Sequence, residues 1–405
     1  MPNVGVKPCS VLYWSPYFYL PIKKMKAGEI TFMFDKNKGN NIKYLDGLRG
    51  YAVLLVMLSH GLFIFKFDIG GIPIPSASFG VNIFFCLTGF LITLSLFKEI
   101  EKKGKIDLKN FYVNRLLRLL PALLISLLIF IPIIAANGYD KIFVEISNSL
   151  FFISNWTKTF RTYEPHYFPH TWYLATVVQF YLVWPFLFLF MVRRKIFFLN
   201  KSFFLFFLIP YLIYPLINFA FKKIGLDIYS FFLLRIPEFY IGALAGGIFF
   251  YRHTLLKASI LTDSQFVSLV KKVCVAIMFL MIWSIKGTDP PSLIYGGLCT
   301  FVILSTVLIF CLSISEDEFS NNMFENRWIK KLGVISYGVY LYHFPLYFLS
   351  FEFSEQQIFS LLDNSFQIFA AKTAIFLTAT FVAILISFLS YEYLEKPFLR
   401  LKKFI

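Results

Sequence analysis

Arg49 and His60 are the residues whose types and spacing first suggest chemistry, because both lie in one apolar stretch, YLDGLRGYAVLLVMLSHGLFIF. Their separation equals about three turns of an α-helix, so the side chains share one face, roughly 16 Å apart along the axis. Ionisable groups inside a membrane segment are costly and often mark a functional site. A neutral imidazole can accept a proton near pH 7, and a guanidinium can bind an anion. The alternative is that Arg49 is a topology anchor and His60 an interface residue.

A second basic pair, Arg115 and Arg118, lies in NRLLRLLP. Residues three apart share a helix face. Two guanidinium groups on one face suit a polyphosphate ligand, because each can make bidentate, charge-assisted bonds. Anchoring of the helix at the inner membrane surface is the alternative interpretation of this pair.

Arg235 and Glu238 lie within a third apolar stretch, FLLRIPEFYIGALAGG. An unpaired charge at such a position would be costly, so the two side chains are expected to interact. Glu238 could act as a general base, but an internal ion pair that stabilises the helix bundle is the favoured interpretation. The glycines at the end of the stretch predict close packing against another helix.

Two further stretches carry histidines. His343 lies in SYGVYLYHFPLYF and is either a hydrogen-bonded core histidine or part of a site. In HTWYLATVVQFYLVWP, Trp172 and Tyr173 fit an aromatic belt at the membrane surface. His170 and Gln179 could instead line the site.

The composition predicts an all-α, polytopic membrane protein. Of the 405 residues, 58% are hydrophobic and only 15% are charged, and the apolar residues form blocks about twenty long, the length of a membrane-spanning helix. The net charge of +16 does not indicate nucleic acid, because the basic residues concentrate in alternate loops. The cysteines form neither a disulfide framework nor a metal-ligand spacing, so we expect no metal site.

About ten spanning helices are predicted, and basic residues orient them. Of the 39 lysines and arginines, 30 fall in segments that share one side with both termini, which predicts cytoplasmic termini. This arrangement puts Arg49 at the cytoplasmic end of the first helix and His60 in its outer half. The predicted organisation is a basic cytoplasmic tail (1–43), a membrane domain (44–398) and a short basic cytoplasmic tail (399–405). The predicted spans are 45–65, 79–97, 116–136, 172–192, 202–221, 231–250, 273–286, 293–314, 332–352 and 370–393.

Taken together and in this order, these stretches resemble the membrane acyltransferase family 3, the OafA-like O-acyltransferases. The matching pieces run from Tyr44 to about Phe398, nearly the whole chain except its N-terminal tail. The most specific parts are the Arg-x10-His spacing and the Arg-x-x-Arg pair. The pieces are YLDGLRG, GVNIFFCLTGFLI, NRLLRLLP, HTWYLATVVQFYLVWP, RIPEFYIGALAGG, SYGVYLYHFPL and YEYLEKPF.

The resemblance implies a ten-helix enzyme of the bacterial cytoplasmic (inner) membrane. Such enzymes move an acyl group, usually acetyl, from cytoplasmic acyl-CoA to a hydroxyl of a carbohydrate or another cell-envelope molecule. Arg49 and His60 match the essential pair of the family, and Arg115 and Arg118 match its other arginine motif. We expect His60 to be the base and the arginines to hold the CoA phosphates. Because the chain ends shortly after the last predicted helix, we expect it to be like family members without a hydrolase-like domain.

One departure from the family pattern bears on catalysis. Where many members read WSLxVEEQFYL, this chain has WYLATVVQFYL, with Val177 and Val178 where two glutamates are common. Any assistance from those carboxylates must come from elsewhere, or the enzyme is weakened or takes a different acceptor. The residues expected to support the site are Asp46, Trp172, Arg235, Glu238 and His343.

Two other classes of function compete with the acyltransferase. Embedded charges and segments interrupted by proline would also fit a transporter, but the chain has no paired broken helices in corresponding halves. A catalytically idle relative that only binds its ligand is the third hypothesis, and the valines at 177 and 178 motivate it.

Overall fold

The computed structural model describes residues 43–67, 70, 74–193, 216–217, 219–221, 223–226, 229–252, 263–284 and 298–400. Every regular element in these ranges is a helix, in agreement with the predicted all-α class. The predicted N-terminal tail lies outside the described residues up to position 42, and the C-terminal tail lies outside them from position 401.

Fourteen α-helices are described in chain order. The short elements beside them are a 3-10 turn at Phe359–Leu361 and a π-helical turn at Tyr391–Glu395. The helices are α1 (Leu45–Ile64), α2 (Ala77–Lys103), α3 (Leu108–Ala136), α4 (Ile142–Leu150), α5 (Ser154–Thr159), α6 (Thr171–Arg193), α7 (Phe232–Phe250), α8 (Ser264–Ser284), α9 (Leu298–Ile314), α10 (Glu318–Phe324), α11 (Arg327–Val334), α12 (Ser336–Gln357), α13 (Ser365–Ser390) and α14 (Lys396–Arg400).

The described part of the chain contains seven helices long and apolar enough to cross a membrane, or up to nine if each of two bent pairs is one span. In one pair α9 meets α10 at 113°, and in the other α11 meets the helical segment that begins with α12 at 78°. A membrane bundle is therefore supported, and the described residues account for seven to nine of the roughly ten predicted spans. The predicted span 202–221 falls largely outside the described residues.

The span predicted at 273–286 is longer than the sequence suggested, because α8 begins at Ser264. The charged Lys271 lowers the mean hydropathy of the first turns of α8, so the hydropathy pattern did not include them in the predicted span. Lys271 is fully buried, and its ammonium donates to the carbonyl oxygen of Ser315 at 2.7 Å and to the hydroxyl of Ser320 at 3.0 Å. It also pairs with Asp317 at 3.4 Å. These partners, all distant in sequence, allow a charged residue to sit inside the helix.

Helices α2 and α7 pack with their backbones in contact. A Cβ atom on Gly242 of α7 would overlap the carbonyl oxygen of Cys86, and one on Gly89 of α2 would overlap that of Phe239. Small residues allow membrane helices to approach this closely, and van der Waals contact then holds them together. The close packing predicted from the glycines of α7 is confirmed at Gly242 and Gly246.

Helix α11 crosses α1 with equally close contact, and this crossing lies beside Arg49. A Cβ atom on Gly333 would overlap the carbonyl oxygen of Asp46, and one on Gly50 would overlap that of Ile329. The predicted span 332–352 is therefore bent at its start, because α11 must leave the direction of α12 to lie across α1. The bend fixes the backbone from which Asp46 and Arg49 project.

A buried carboxylate holds the segment between α5 and α6. Glu145 of α4 accepts hydrogen bonds from the hydroxyl of Tyr163 at 3.1 Å, from the backbone N–H of Tyr167 at 3.1 Å, and from the backbone N–H of His166. Burial raises the pKa of the Tyr163 hydroxyl, which therefore stays protonated and donates. The carboxylate thus fixes the chain just before α6, where His170 lies.

We expect Gly242→Val to destabilise the bundle, because the added side chain must push apart two helices whose backbones touch. Overpacking of this kind costs about 1–3 kcal/mol of unfolding free energy. The thermal unfolding midpoint of the purified protein in detergent measures the effect. Leu233→Val, at a half-exposed position of the same helix, is the matched control. Equal midpoints for the two variants would contradict the close packing.

Candidate active site

Five helices surround a pocket that brings the three predicted anion-binding arginines together. Arg49 from α1 and both arginines of α3, Arg115 and Arg118, line it, although α1 and α3 are separated by the whole of α2. The cavity volume is about 100 Å³. The remaining wall comes from α2, α6 and α12 and includes Thr88, Tyr173, Val177, Tyr181, Tyr337 and Tyr340.

The three guanidinium groups differ in how many hydrogen-bond partners the described residues give them. Arg49 donates to the carboxylate of Asp46 at 2.5 Å. Arg115 lies against the ring of Tyr181, with 5.6 Å between the guanidinium carbon and the ring centroid. Its buried Nε atom has no hydrogen-bond partner within the described residues. Arg118 is exposed. Because a buried N–H without an acceptor is costly, the pocket suits an anionic ligand that supplies one.

Three histidines from distant parts of the chain form a cluster nearer the other end of α1. Nδ1 of His60 lies 2.8 Å from Nε2 of His343, and the two rings are nearly parallel with centroids 5.1 Å apart. Nδ1 of His343 lies 3.0 Å from the carbonyl oxygen of Val339. The ring of His170 lies 5.6 Å from that of His343. His170 and His343 are buried, whereas His60 is only partly buried.

Tyr340 connects the arginine pocket to the histidine cluster. It lines the pocket, and its ring centroid lies 5.3 Å from that of His170 and 5.9 Å from that of His343. Its hydroxyl donates to the backbone carbonyl of His170. A single aromatic ring therefore contacts both sites.

Helical periodicity explains why α12 contributes to both sites. Ser336, Tyr340 and His343 are four and three residues apart, so they follow one another along a single helix face. Helix α6 has a similar face, on which Tyr173, Val177 and Tyr181 line the pocket.

Among the predicted supporting residues, Arg235 and Glu238 form a separate buried pair. A guanidinium N–H of Arg235 donates to the Glu238 carboxylate at 2.9 Å, and its Nε donates to the carbonyl oxygen of Tyr229 at 2.7 Å. Neither residue lines the arginine pocket. The geometry favours the ion-pair interpretation over a base role for Glu238.

Trp172 is buried, so its ring packs inside the helix bundle and not against lipid as a belt residue would. The guanidinium carbon of Arg235 lies 5.9 Å from its ring centroid. The tryptophan therefore belongs to the surroundings of the buried ion pair. Its neighbour Tyr173 lines the arginine pocket. The sequence could not separate the two, because both lie at the start of α6.

The two valines that replace the usual glutamates have different surroundings. Val177 is buried and lines the arginine pocket, whereas Val178 packs against the hydrophobic core. The wall facing the arginines is thus apolar at this position. Of the residues expected to support the site, Asp46 and Glu238 each pair with an arginine, whereas His343 contacts His60.

The structure brings to the site several residues that the sequence alone does not single out. The sequence indicates His170 only as a possible lining residue, and it does not identify the pocket tyrosines Tyr181, Tyr337 and Tyr340. The signal that could have identified the tyrosines is their spacing from Val177 and His343 along α6 and α12. Within the described residues, no group of three or more His, Cys, Asp or Glu side chains is arranged to hold a metal ion.

The chain matches the family described as "Acyltransferase domain" over residues 42–392. It is 27% identical to peptidoglycan O-acetyltransferase OatA of Listeria monocytogenes over 385 residues, which is 87% of this chain and 55% of that protein. It is 28% identical to YrhL of Bacillus subtilis over 378 residues, which is 87% of this chain and 54% of that protein. YrhL is also named as a peptidoglycan O-acetyltransferase, but only provisionally. The chain thus spans about half the length of these curated relatives. No solved structure matches it significantly.

We expect Glu238→Gln to destabilise the fold, because it leaves the Arg235 charge buried without its carboxylate. Breaking one partner of a buried pair costs about 3–5 kcal/mol, whereas replacing both partners by apolar residues costs much less. Thermal unfolding of Glu238→Gln and of the double variant Arg235→Met/Glu238→Met in detergent measures the difference. A Glu238→Gln protein as stable as the wild type but without activity would instead indicate a base.

Proposed function

The chain belongs to the acyltransferase domain family, and we propose that it transfers an acyl group, by default acetyl, from acyl-CoA to a hydroxyl of peptidoglycan or another cell-envelope carbohydrate. The observation that carries this proposal is the proximity of the two sites. Tyr340 lines an arginine pocket that has an unsatisfied buried N–H, and its ring packs beside His343 in a histidine cluster that contains a partly buried imidazole. A long ligand with phosphates at one end and a thioester at the other fits this arrangement.

The donor would bind with its phosphates at Arg49, Arg115 and Arg118. Guanidinium groups bind phosphate by paired, charge-assisted hydrogen bonds. The axial distance from Arg49 to His60, roughly 16 Å for three helical turns, is similar to the reach of the pantetheine arm. The excess of basic residues on one side of the predicted spans supports a cytoplasmic location for the arginine end, where CoA is available, with both termini on that side of the bacterial inner membrane.

The chemical step needs a base at the thioester. The acceptor hydroxyl gives its proton to the imidazole of His60 as its oxygen forms a bond with the thioester carbonyl carbon. The carbon–sulfur bond then breaks, and the CoA sulfur takes the proton from the imidazolium. The products are an ester and CoA thiol. The acceptor reaches His60 from the outer side, past the segment that Glu145 holds before α6.

The name of OatA supports peptidoglycan as the acceptor class, and a hydroxyl of its sugars would receive the acetyl group. A polar acceptor cannot enter the apolar interior of the bilayer, so it must meet the base near the outer surface. The position of His60 near the end of α1, three turns from Arg49, supports this part of the proposal.

The experiment uses the purified full-length chain in nanodiscs with radiolabelled acetyl-CoA and peptidoglycan fragments. We expect release of CoA thiol together with label in an alkali-labile ester. His60→Ala lowers the turnover rate by about 100-fold or more, because it removes the general base. Uptake of an unmodified solute without thiol release would favour a transporter, and CoA binding without turnover would favour an idle relative.

Arg115→Ala tests the donor site separately. We expect the KM for acetyl-CoA to rise at least tenfold, because the loss of one charge-assisted bond to a phosphate costs about 1.5–3 kcal/mol. Lys109→Ala, at an exposed position earlier in α3, is the matched control for loss of a positive charge. If both variants changed the KM equally, general surface charge and not the pocket would attract the donor.

A further inference from the structure

The hydrogen bonds of His343 determine which nitrogen of His60 can act as a base. Its Nδ1 lies 3.0 Å from the carbonyl oxygen of Val339, and its Nε2 lies 2.8 Å from Nδ1 of His60. A carbonyl oxygen only accepts hydrogen bonds, so Nδ1 of His343 must carry a hydrogen. In a neutral imidazole the other nitrogen is then an acceptor. Nε2 of His343 therefore accepts from His60.

The tautomer of His343 in turn determines the tautomer of His60. For the 2.8 Å contact to be a hydrogen bond, Nδ1 of His60 must donate the hydrogen. The opposite tautomer of His60 would direct two lone pairs at each other across this distance. With Nδ1 protonated, Nε2 of a neutral His60 carries the free lone pair. We propose that His343 is a positioning residue that holds His60 in the Nδ1–H tautomer, so that Nε2 is the nitrogen that takes the acceptor's proton.

The surroundings of His343 suit this role. Its side chain is fully buried, and the rings of Tyr340, Phe344 and Tyr347 lie around it. A carboxylate orients the catalytic histidine in many hydrolases, but an ionised carboxylate in this apolar setting would be costly. A neutral imidazole fixed by a backbone carbonyl supplies the same acceptor without charge. When His60 becomes an imidazolium, its bond to His343 becomes charge-assisted and stronger.

His170 provides an internal comparison. It is also buried, and its ring lies as close to the ring of Phe344 as that of His60 does. Its Nε2 lies 3.3 Å from the carbonyl oxygen of Leu341, and it forms no hydrogen bond with His60 among the described residues. Loss of this imidazole removes a buried ring from the same cluster but leaves the partner of His60 in place.

Nitrogen NMR of the ¹⁵N-histidine-labelled full-length protein in bilayers tests the tautomer directly. The chain has only five histidines, and the signals that disappear in His60→Asn identify those of His60. We expect a protonated Nδ1 and an unprotonated Nε2 for neutral His60 in the wild type and in His170→Leu. We expect loss of this preference in His343→Leu. A wild-type His60 with hydrogen on Nε2 would overturn the proposal, even if the variants do not fold.

Kinetics separate positioning from packing. The role of His343 in turnover rests on the proposed acyl transfer. We expect His343→Leu to lower kcat about 100-fold with the KM for acetyl-CoA nearly unchanged, because only the base is affected. His343→Gln, whose amide oxygen can accept from Nδ1 of His60, restores most of the activity. Equal kcat values for the Gln and Leu variants would overturn the proposal.

The two readouts also distinguish this proposal from the proposed function. A wild-type protein that shows the Nδ1–H tautomer but transfers no acyl group contradicts the function alone. An active wild-type protein with the opposite tautomer contradicts the role of His343 alone.

Discussion

The cost of an unpaired polar group in an apolar interior governs how this bundle is built. A charged side chain inside a membrane protein must find a partner, because no water is present to solvate it. Arg235 pairs with Glu238 on one turn of α7, and Lys271 of α8 reaches Asp317 and its neighbours between α9 and α10. The need for a partner therefore constrains where each charged side chain, and the helix that carries it, can lie.

The arginine pocket is an exception, because one of its buried polar groups has no partner in the described part of the chain. Arg49 has a carboxylate partner, but the buried Nε of Arg115 has no acceptor in the described part of the chain. Val177 lines the same pocket at a position where many family members have a glutamate, and its apolar side chain supplies no acceptor. The concentration of positive charge is thus left incompletely neutralised at the surface of an apolar wall. Such a site gains free energy when a polyanion binds and completes the pairing.

Close helix packing positions both sites. Backbone contact at Gly333 holds α11 across α1 beside Asp46, and Gly242 holds α7 against α2. These contacts leave little freedom for the helices to slide, so the side chains of α1, α2 and α12 keep their relative depth. The same packing explains why one tyrosine, Tyr340, can contact the histidine cluster and line the pocket. The hydrogen-bond partner of the His60 imidazole lies on α12, at His343, and not on α6, where Val177 and Val178 stand in place of the usual glutamates.

The sequence by itself determined the class of the protein, most of its helices and the residues able to do chemistry, because hydropathy and residue type are local properties. It also identified the Arg235–Glu238 pair, whose members are three residues apart on one helix. Only the tertiary structure decided that His343, 283 residues from His60, is its hydrogen-bond partner. It likewise decided that Trp172 is buried and that α8 includes Lys271. Contacts between residues far apart in the chain depend on how the helices pack, and periodicity within one helix carries no information about its neighbours.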